Sequence, residues 1–302
     1  MVVSVLAFPP EVAKIRVSVV MVSYMTGPAL FEAIQSVLRD VNVCELILVD
    51  NGNDVETRRK LGKFAKQNQM IRVIQGQGNI GFSKANNLGA KFASGDYLLF
   101  LNPDAILREG SLRKLVDCGK GLKGPWIAGA MLRLINGHEQ CGARRDLLTP
   151  WSAFTTFTPL HKLPFFDTIH RHKDPVPTEP IPIPVLSGAC MLMTREGFES
   201  INGFDEDYFL HVEDIDICRR ASNQGGDVYF VPDAEITHYG STSRVRRQTV
   251  EWQKAKGFVI YFKKYAKTSL GRFFVTLATP FIYFTIMGRA WWLVFRKAII
   301  GR

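Results

Sequence analysis

Two polar side chains, Asn102 and Asp104, stand one residue apart directly after the apolar run at 97–101. An apolar run with no polar break is typical of a strand that is covered on both faces in a parallel sheet. Pro103 ends the strand, because proline donates no hydrogen bond to the ladder. The pair is therefore expected at the carboxyl end of a central strand, where open α/β sheets bind their ligands. Its oxygens suit a hard divalent cation that also holds a diphosphate. A strand followed by a simple turn is the structural alternative.

A second candidate group is acidic, because six of the twelve residues from Asp205 to Asp216 are Asp or Glu. Acids at an exposed helix N-terminus interact favourably with the helix dipole, by about 0.3–1 kcal/mol each. That effect accounts for one or two acids, but not for six that are interleaved with apolar residues. Clustered carboxylates beside apolar side chains have the shifted pKa values that a general base requires. We therefore predict a catalytic base in this segment.

One histidine is a candidate ligand. His238 follows the last predicted strand, at 227–232, and is itself followed by a glycine and several hydroxyl-bearing residues. Its position near the end of a strand allows the imidazole to bind a ligand. A packed or exposed histidine without a ligand is the structural alternative.

The residues 76–81 match the GxGxxG pattern, but their context excludes a dinucleotide-binding fold. In that fold the glycines follow the first strand and an acid ends the next one. Here the glycines follow the third predicted strand, and Asp96 precedes a strand instead of ending it. Glycines still let backbone amides approach a ligand. Lys84 and Asn86, in the next predicted helix, can reach a phosphate or a ribose.

Alternating strands and helices must position these groups. The predicted strands are 15–23, 45–50, 71–75, 97–101, 126–134 and 227–232, and the predicted helices are 28–39, 55–68, 83–93, 109–118 and 213–225. This alternation predicts an α/β fold with a mostly parallel central sheet. Prolines punctuate the long segment 135–184, which we expect to be a mobile flap beside the site.

The composition, 46% hydrophobic and 22% charged over 302 residues, is that of an ordinary globular protein with one large domain, or one domain and an appendage. The five cysteines are scattered without a CxxC pair, which predicts reduced thiols in a cytosolic compartment rather than disulfides or a zinc site. The first residues lack the positively charged start of a secretory signal.

Charge is unevenly placed along the chain. From Arg244 to the end, thirteen Lys or Arg residues accompany one acid, Glu251, whereas residues 1–243 hold 25 basic and 27 acidic residues. Aromatic and aliphatic residues stand beside these bases, as in helices that lie in a membrane interface. The uncharged run Phe273–Met287 is fifteen residues long, short of the roughly 20 that span a bilayer. We therefore predict a catalytic domain at 1–243 and a basic amphipathic helical tail at 244–302.

The tail predicts an anionic membrane surface as a partner. A helical subdomain packed on the core, with its charges solvated, is the alternative. Nucleic acid is not expected as a partner, because the apolar runs are too long for a phosphate-binding tail and no nucleic-acid-binding module accompanies it.

Six short motifs follow one another along the chain. They are VDNG at 49–52, NIGFSKANNLG at 79–89, LNPDA at 101–105, SGA at 187–189, GFDEDYF at 203–209 and EDID at 213–216. With these motifs the chain resembles the inverting glycosyltransferases of family two, which have the GT-A fold. Within that family it is similar to the rhamnosyltransferase-like enzymes that build bacterial surface polysaccharides. Any one motif is weak, but six in the right order are a specific signal.

The resemblance implies roles for the matched residues. Asp214 stands where the family keeps its catalytic base, with Glu213 as the second choice, and Asp104 stands at the second acid of the metal motif. His238 matches a histidine that completes the metal site in some members. The expected cation is Mg²⁺ or Mn²⁺. The residues expected to bind the nucleotide-sugar donor are Ser23, Tyr24, Asp50, Asn51, Gly81, Lys84, Asn86, Asn102, Gly188 and Asp205.

The chain departs from the family pattern at Asn102, where many relatives have an aspartate. A neutral amide is a weaker ligand for Mg²⁺ or Mn²⁺ than a carboxylate, so the departure leaves strict metal dependence open.

The resemblance also implies a reaction. We expect a sugar, L-rhamnose from dTDP-rhamnose, to move to a hydroxyl of a polyprenyl-diphosphate-linked saccharide at the cytoplasmic face of the plasma membrane. The product would enter O-antigen or other cell-surface polysaccharide. Two alternatives stay open, a non-catalytic nucleotide-sugar-binding relative and a sugar nucleotidyltransferase. The second would need a Gly-rich, Arg-containing loop directly after the first strand, which residues 23–28 do not provide. The sequence leaves the linkage and the oligomeric state open.

Overall fold

The computed structural model describes residues 15–158, 160, 163, 165, 168–240 and 242–300. Its strands are β1 Val17–Ser23, β2 Val43–Asp50, β3 Ile71–Ile74, β4 Tyr97–Leu101, β5 Ala105–Leu107, β6 Ile127–Arg133, β7 Arg144–Arg145, β8 Ile181–Pro182, β9 Val185–Leu186, β10 Cys190–Thr194 and β11 Val228–His238. Its helices are α1 Ala29–Leu38, α2 Val55–Gln67, α3 Phe82–Ala90, α4 Ser111–Gly119, α5 Pro150–Phe157, α6 Arg195–Ser200, α7 Glu213–Asn223, α8 Arg247–Tyr265 and α9 Ser269–Ile300. Residues 1–14, for which no secretory signal is predicted, lie outside the described residues.

A nine-stranded sheet forms the centre of the fold, in the order β3-β2-β1-β4-β10-β6-β11-β5 with β8 paired to β11. The pairs among β1 to β4 are parallel, and β10 is antiparallel to both of its neighbours. Because β11 is parallel to β6, six strands share one direction and only β5, β8 and β10 oppose it. The structure thus confirms the predicted α/β fold with a mostly parallel sheet.

The central strand β4 is covered on both faces, as its apolar run predicts. Leu99 and Leu101 belong to the apolar core on one face of the sheet, together with residues of α1 and α4. Leu98 and Phe100 point to the other face and pack with residues of α6, α7 and α8. Alternate side chains of one strand therefore join two cores, and the strand end at Asn102 is held from both sides.

Strand β11 is longer than the sequence predicts. Pro232 suggests an end to the strand, yet β11 continues to His238 with a register shift between Val231 and Glu235 against β6. The irregularity accommodates the proline, which cannot donate to the ladder, and pairing resumes beyond it. As a result His238 lies within the sheet rather than in a loop after it.

The segment 135–184, predicted to be a mobile flap, contains ordered elements among its described residues. Strand β7 pairs with β9 in a small second sheet, and β8 pairs with β11. Helix α5 begins at Pro150, and Thr149 and Ser152 cap it reciprocally. The segment is therefore a folded insertion in these parts.

Helix α8 packs on the core of the predicted catalytic domain although it lies in the predicted tail. Ala255, Phe258, Tyr261 and Phe262 are buried in the same apolar cluster as Phe100 of β4. These positions follow the spacing of one helical face. The predicted boundary at residue 243 therefore does not mark the end of the packed core.

Helix α9 differs from α8 in being mostly exposed. It runs for 32 residues, through Pro280, and its stretch Ser269–Trp292 has a mean hydropathy of 1.4 with only 6% of its most apolar window buried. By length and composition it is, within the described residues, one helix that could cross a membrane. The uncharged run of fifteen residues, Phe273–Met287, is part of this longer helix, which continues past both Pro280 and Met287. Its exposed large side chains include Phe273, Phe274, Leu277, Phe281, Phe284 and Trp291.

Candidate active site

The turn after β2 forms one wall of the site, where the ends of β1 and β2 lie side by side. Ser23 and Asp50 are partners in the parallel register. Asn53 joins the two strand ends, because its Oδ1 accepts a hydrogen bond from the Ser23 hydroxyl at 3.1 Å and its Nδ2 donates to Asp50 at 2.9 Å. The ring of Tyr24 closes over this turn, 3.1 Å from where a Cβ on Gly52 would lie.

Both carboxylate oxygens of Asp50 are engaged in shaping this turn. Oδ1 accepts hydrogen bonds from the amides of Gly52 at 3.1 Å and Asn53 at 2.8 Å. Oδ2 forms an ion pair with Arg58 at 3.0 Å. The structure shows a structural role for Asp50, and its contact with a nucleotide base or ribose stays a prediction.

The predicted donor contact Asn51 fixes the glycine-rich segment. Its Nδ2 donates to Asn79 Oδ1 at 3.0 Å, and its Oδ1 accepts a hydrogen bond from the Ile80 amide at 3.1 Å. Asn51 is only 3% exposed. The side chain therefore holds the turn after β2 against the start of α3, and the two motifs form one continuous surface.

The glycine-rich segment and the acidic segment are in direct contact. Gly81 has φ +89°, and a Cβ there would lie 2.8 Å from the Phe209 ring, so only glycine fits without strain. The Phe82 amide donates to the Phe209 carbonyl at 2.7 Å. Asn87 forms two hydrogen bonds with the backbone of Phe204, at 2.8 and 2.9 Å. The fold thus brings together two groups that the sequence only predicts separately.

The two predicted donor contacts on α3 differ in exposure. Lys84 is exposed, whereas Asn86 is 1% exposed and donates to the Phe82 carbonyl at 3.0 Å. Contacts of either side chain with a phosphate or a ribose stay predictions.

The predicted metal ligands lie side by side. Strands β5 and β11 pair with Ala105 opposite His238. This pairing places His238 Nε2 at 3.0 Å from Asp104 Oδ1 and at 3.4 Å from the side-chain nitrogen Nδ2 of Asn102. Asp104 and His238 are 5% and 6% exposed. The sheet therefore assembles a carboxylate, an imidazole and an amide at the carboxyl end of β4.

The surroundings of this pair fit a cation. Gln140 Oε1 lies 2.5 Å from His238 Nδ1, and the other ring nitrogen, Nε2, faces Asp104 Oδ1. Across this 3.0 Å separation the imidazole can donate a hydrogen bond to the carboxylate, or both groups can bind one metal ion when Nε2 is deprotonated. Among the described residues, no three His, Cys, Asp or Glu side chains share one metal position. The Asn102 amide oxygen and the phosphates of a donor would have to complete the coordination, as is common for Mg²⁺.

Asp104 is ready to act as an anionic ligand. Burial alone would raise its pKa, but the hydrogen bond and charge of His238, together with the Thr242 hydroxyl at 2.9 Å, outweigh burial and lower the pKa. The carboxylate is therefore ionised at neutral pH.

Asp214, the predicted base, lies at the N-terminus of α7 in a short ion pair with Arg145. The backbone amide of Gly188 donates to Asp214 Oδ2 at 3.2 Å. The carbonyl of the next residue, Ala189, accepts a hydrogen bond from the backbone amide of Asn102 at 3.0 Å. Residues 188–189 therefore lie between Asp214 and the end of β4, where the predicted metal ligands stand. Asp214 retains 14% exposure, so one side of the carboxylate reaches solvent.

Glu213, the second choice, is buried and occupies a different environment. Its side-chain Oε2 has no hydrogen-bond partner among the described residues. Burial, followed by the charge of Asp214, raises the pKa of Glu213 to about 8. A neutral, buried side chain is poorly placed to receive a proton from an acceptor, and the assignment of Asp214 as the base stays a prediction.

The turn before α7 is strained. His211 and Val212 have φ angles of 68° and 74°, a conformation that is a true outlier for a β-branched residue and costs about 1–3 kcal/mol. Gly257 of α8 presses against this turn, because a Cβ there would lie 3.0 Å from the His211 carbonyl. Burial lowers the pKa of His211 to about 4, so its imidazole is neutral. Helix α8 thus supports the turn that presents Asp214.

Asp205, a predicted donor contact, pairs with Lys264 of α8 at 2.5 Å. Burial would raise the pKa of Asp205, but Lys264 and the Asp207 amide lower it. Its contact with the donor stays a prediction.

Sequence reasoning missed several residues of the site. Arg145, Gln140 and Asn53 each hold a predicted residue in place, yet none stands at the end of a predicted strand. The consecutive arginines at 144 and 145 were the only available signal for Arg145.

Sequence comparisons relate the chain to known transferases. Residues 18–118 match the family described as Glycosyl transferase family 2, and residues 173–244 match the N-terminal domain of galactosyltransferase. The chain is 27% identical over 241 residues to an N-acetylglucosaminyl-diphospho-decaprenol L-rhamnosyltransferase of Mycobacterium tuberculosis, covering 76% of this chain and 77% of the relative. It is 25% identical over 234 residues to rhamnosyltransferase WbbL of Escherichia coli, covering 74% and 83%. These matches confirm the resemblance to family 2 glycosyltransferases.

A solved structure supports the fold. GalNAc-T7 with UDP, GalNAc and Mn²⁺ superimposes with a TM-score of 0.61 at 20% identity over 84% of this chain. The chain spans about half of that protein, 51% of its length. At this identity the likeness establishes the GT-A fold alone.

Glu213 provides a test of the buried acid. The unfolded chain releases the Glu213 proton near its ordinary pKa of 4.5, whereas the folded protein keeps it up to about 8. The free energy of unfolding therefore falls as pH rises between these values. From about pH 5.5 to about pH 8.5 the free energy of unfolding should fall less for Glu213→Gln than for the wild type. The difference between the two falls should be about 1–3 kcal/mol. Urea unfolding at both pH values measures this difference.

The exposed Glu199→Gln serves as the control for that experiment and should follow the wild type. Parallel pH dependence of Glu213→Gln and wild type would show that Glu213 is ionised in the folded protein.

Proposed function

We propose that this chain, whose residues 18–118 match family 2 glycosyltransferases, is an inverting transferase that moves a sugar from a nucleotide diphosphate to an acceptor hydroxyl. The observation that supports it most is the position of residues 188–189. Their backbone contacts the Asp214 carboxylate on one side and the backbone of Asn102, at the strand end beside the predicted metal ligands, on the other. A base and a cation site on either side of one short segment suit a displacement in which the acceptor and the leaving diphosphate occupy opposite sides of the sugar.

In the proposed mechanism Asp214 takes the proton of the acceptor hydroxyl. The oxygen then attacks the anomeric carbon from the face opposite the nucleotide, and the bond from that carbon to the diphosphate oxygen breaks with its electron pair. Arg145 and the Gly188 amide orient the carboxylate, and the α7 N-terminus favours its negative charge. General-base assistance of this kind contributes typically about 10²–10⁴-fold.

Asp104, His238 and the Asn102 amide would hold Mg²⁺ or Mn²⁺. A bound cation supplies electrostatic stabilisation of the charge that grows on the departing diphosphate. Gln140 keeps His238 Nε2 available for that role, and Thr242 orients Asp104. Ser23, Tyr24, Asp50 and the segment of Gly81 would form the nucleotide side of the same cleft.

The donor and acceptor are proposed from the relatives. The two rhamnosyltransferases support L-rhamnose as the sugar, and we expect dTDP-rhamnose as its carrier. The name of the M. tuberculosis relative supports a polyprenyl-diphosphate-linked saccharide as the acceptor, in the synthesis of a bacterial surface polysaccharide. A non-catalytic nucleotide-sugar-binding protein is disfavoured, because Asp104, His238 and Asp214 are all in place.

Helix α9 supports a peripheral position on the cytoplasmic face of the membrane. Its exposed aromatic side chains suit a lipid interface. A lipid-linked acceptor would be found at the same membrane surface. We propose a division near residue 267, with α8 in the catalytic domain and α9 as the membrane-associating element.

Asp214→Asn tests the base. The substitution keeps the shape of the side chain but removes its basicity, so transfer should fall by at least about 10²-fold while donor affinity is retained. Rates of product formation and calorimetric donor binding measure the two effects. Asp207→Asn, an exposed acid of the same segment, is the control. Donor affinity lost in proportion to activity would assign Asp214 to donor binding instead.

Asp104→Ala and His238→Ala test the cation site. Each removes one ligand, so the Mn²⁺ concentration for half-maximal transfer should rise by at least the roughly 10–100-fold seen when a group that only orients a metal ligand is lost. His138→Ala, an exposed histidine, should leave this concentration unchanged. Full activity of the wild type in excess chelator would overturn the proposed cation.

Removal of α9 tests membrane association. A chain ending at residue 267 keeps α8 and should fold, as circular dichroism can verify, but should no longer float with anionic liposomes. The full-length protein should float, because apolar burial adds to roughly 1 kcal/mol for each basic residue near the surface. In the full chain, Phe284→Asp, a position that is 75% exposed, should weaken flotation as well. Equal flotation of the shortened and full-length chains would exclude α9 as the anchor.

A further inference from the structure

An apolar groove lies between α5, α8 and α9. It has a volume of about 560 Å³, within the range of pockets that hold small organic ligands. Ala153 of α5, Phe258 and Phe262 of α8, and Ala278 and Ile282 of α9 are among its lining side chains. No residue of the mechanism described above lines it, so the groove is separate from the donor and cation sites.

Two segments connect the groove to the catalytic base. Leu147 and Leu148 line the groove and follow Arg145, the ion-pair partner of Asp214, by two and three residues. Arg219, another lining residue, lies on α7, the helix that begins with Glu213 and Asp214. A molecule in the groove is therefore held by the same elements that present the base.

The chemistry of the groove favours a hydrocarbon occupant. The Arg219 guanidinium is already covered, because it stacks 3.7 Å from the Tyr265 ring centroid and donates to the Tyr261 hydroxyl at 2.8 Å. The remaining lining is mostly aliphatic and aromatic. A peptide in such a groove would leave backbone amides without hydrogen-bond partners, whereas a hydrocarbon chain has none to satisfy.

The outer wall of the groove and the charge of Arg145 also favour a lipid with an anionic head group. Helix α9 lines the groove and also exposes Phe273 and Phe284 to the surroundings, so the groove adjoins a surface that suits lipid. Near the base, Arg145 Nε is buried without a hydrogen-bond partner among the described residues. That spare donor suits an anionic head group.

We propose that the groove between α5, α8 and α9 binds the isoprenoid chain of a lipid-linked acceptor, with its diphosphate directed toward Arg145. The inference rests on the proposed function and adds to it the surface that recognises the lipid part of the acceptor. The chain would pass from the bilayer along α9 into the groove, and the saccharide would extend beyond the diphosphate to Asp214.

Ala278→Trp tests the groove by filling it. Thr276→Trp, two residues away on α9 and outside the lining, is the matched control. The acceptor probes are N-acetylglucosaminyl-diphospho-decaprenol and the same head group on a five-carbon chain, both given to the full-length protein. Ala278→Trp should raise KM for the long-chain probe by about tenfold or more and change kcat/KM for the short-chain probe less than about twofold, where tenfold corresponds to about 1.4 kcal/mol. Thr276→Trp should behave as the wild type with both.

A second measurement is independent of sugar transfer. A photoreactive, diazirine-bearing isoprenyl diphosphate should label peptides of α5 and α8 in the wild type, and Ala278→Trp should abolish the labelling. Ala153→Trp, on the opposite wall, should act in the same way if Ala278→Trp does not fold. Labelling of the groove without any transfer would reject the proposed function and retain the lipid site.

Other outcomes reject the lipid site and retain the function. These are transfer by the wild type with labelling outside the groove, equal loss for both chain lengths in Ala278→Trp, and cross-linking between two copies of the chain through the groove.

Discussion

A fully buried carboxylate, Asp216, holds together the elements on which the site depends. It accepts hydrogen bonds from Arg220 at 2.7 Å, Lys264 at 2.8 Å and Tyr265 at 2.9 Å. Burial, followed by the charge of Asp216, raises the pKa of Tyr265, so its hydroxyl remains a donor at every physiological pH. Loss of one partner from such a buried group costs about 3–5 kcal/mol, because the charge is left uncompensated. Two of these partners, Lys264 and Tyr265, lie on α8. Without that helix Asp216, and with it the N-terminal part of α7 that carries Asp214, would lose these contacts.

The same helix supports the strained turn that positions Asp214. The left-handed turn at His211 and Val212 persists because α8 packs against it at Gly257 and because Phe209 is fixed on Gly81. The turn directs Glu213 inward, where it is neutral, and leaves the next residue, Asp214, at the surface of the cleft. Burial and the charge of Asp214 keep Glu213 protonated, so the segment holds a buried neutral acid directly before the carboxylate that pairs with Arg145.

The sequence indicated the parts of this site that follow from strand periodicity. The end of β4 and the position of Asp104 could be predicted, because an uninterrupted apolar run and a proline define them locally. His238 was predicted as a ligand, although the irregularity at Pro232 hid its place within β11. Arg145 could not be predicted, because its contact with Asp214 depends on how a proline-rich insertion folds across 69 residues of sequence.

Helix α8 shows a different limit of sequence reasoning. Phe258, Tyr261 and Phe262 have the spacing of a single apolar helix face, which is the same whether protein or lipid covers it. The lysines on its other face favoured a membrane, yet Lys264 forms ion pairs with the core. Helix α9 exposes a row of large apolar side chains, whereas among the described residues of α8 only Trp252 is a large apolar side chain that is exposed. The ring centroids of Trp252 of α8 and Tyr283 of α9 are 4.6 Å apart. Helix α8 alone therefore lies between the exposed apolar surface of α9 and the turn at His211 and Val212. If α9 rests on the membrane, α8 fixes the height of Asp214 above it, and the base can reach only those hydroxyls that an acceptor presents at that height.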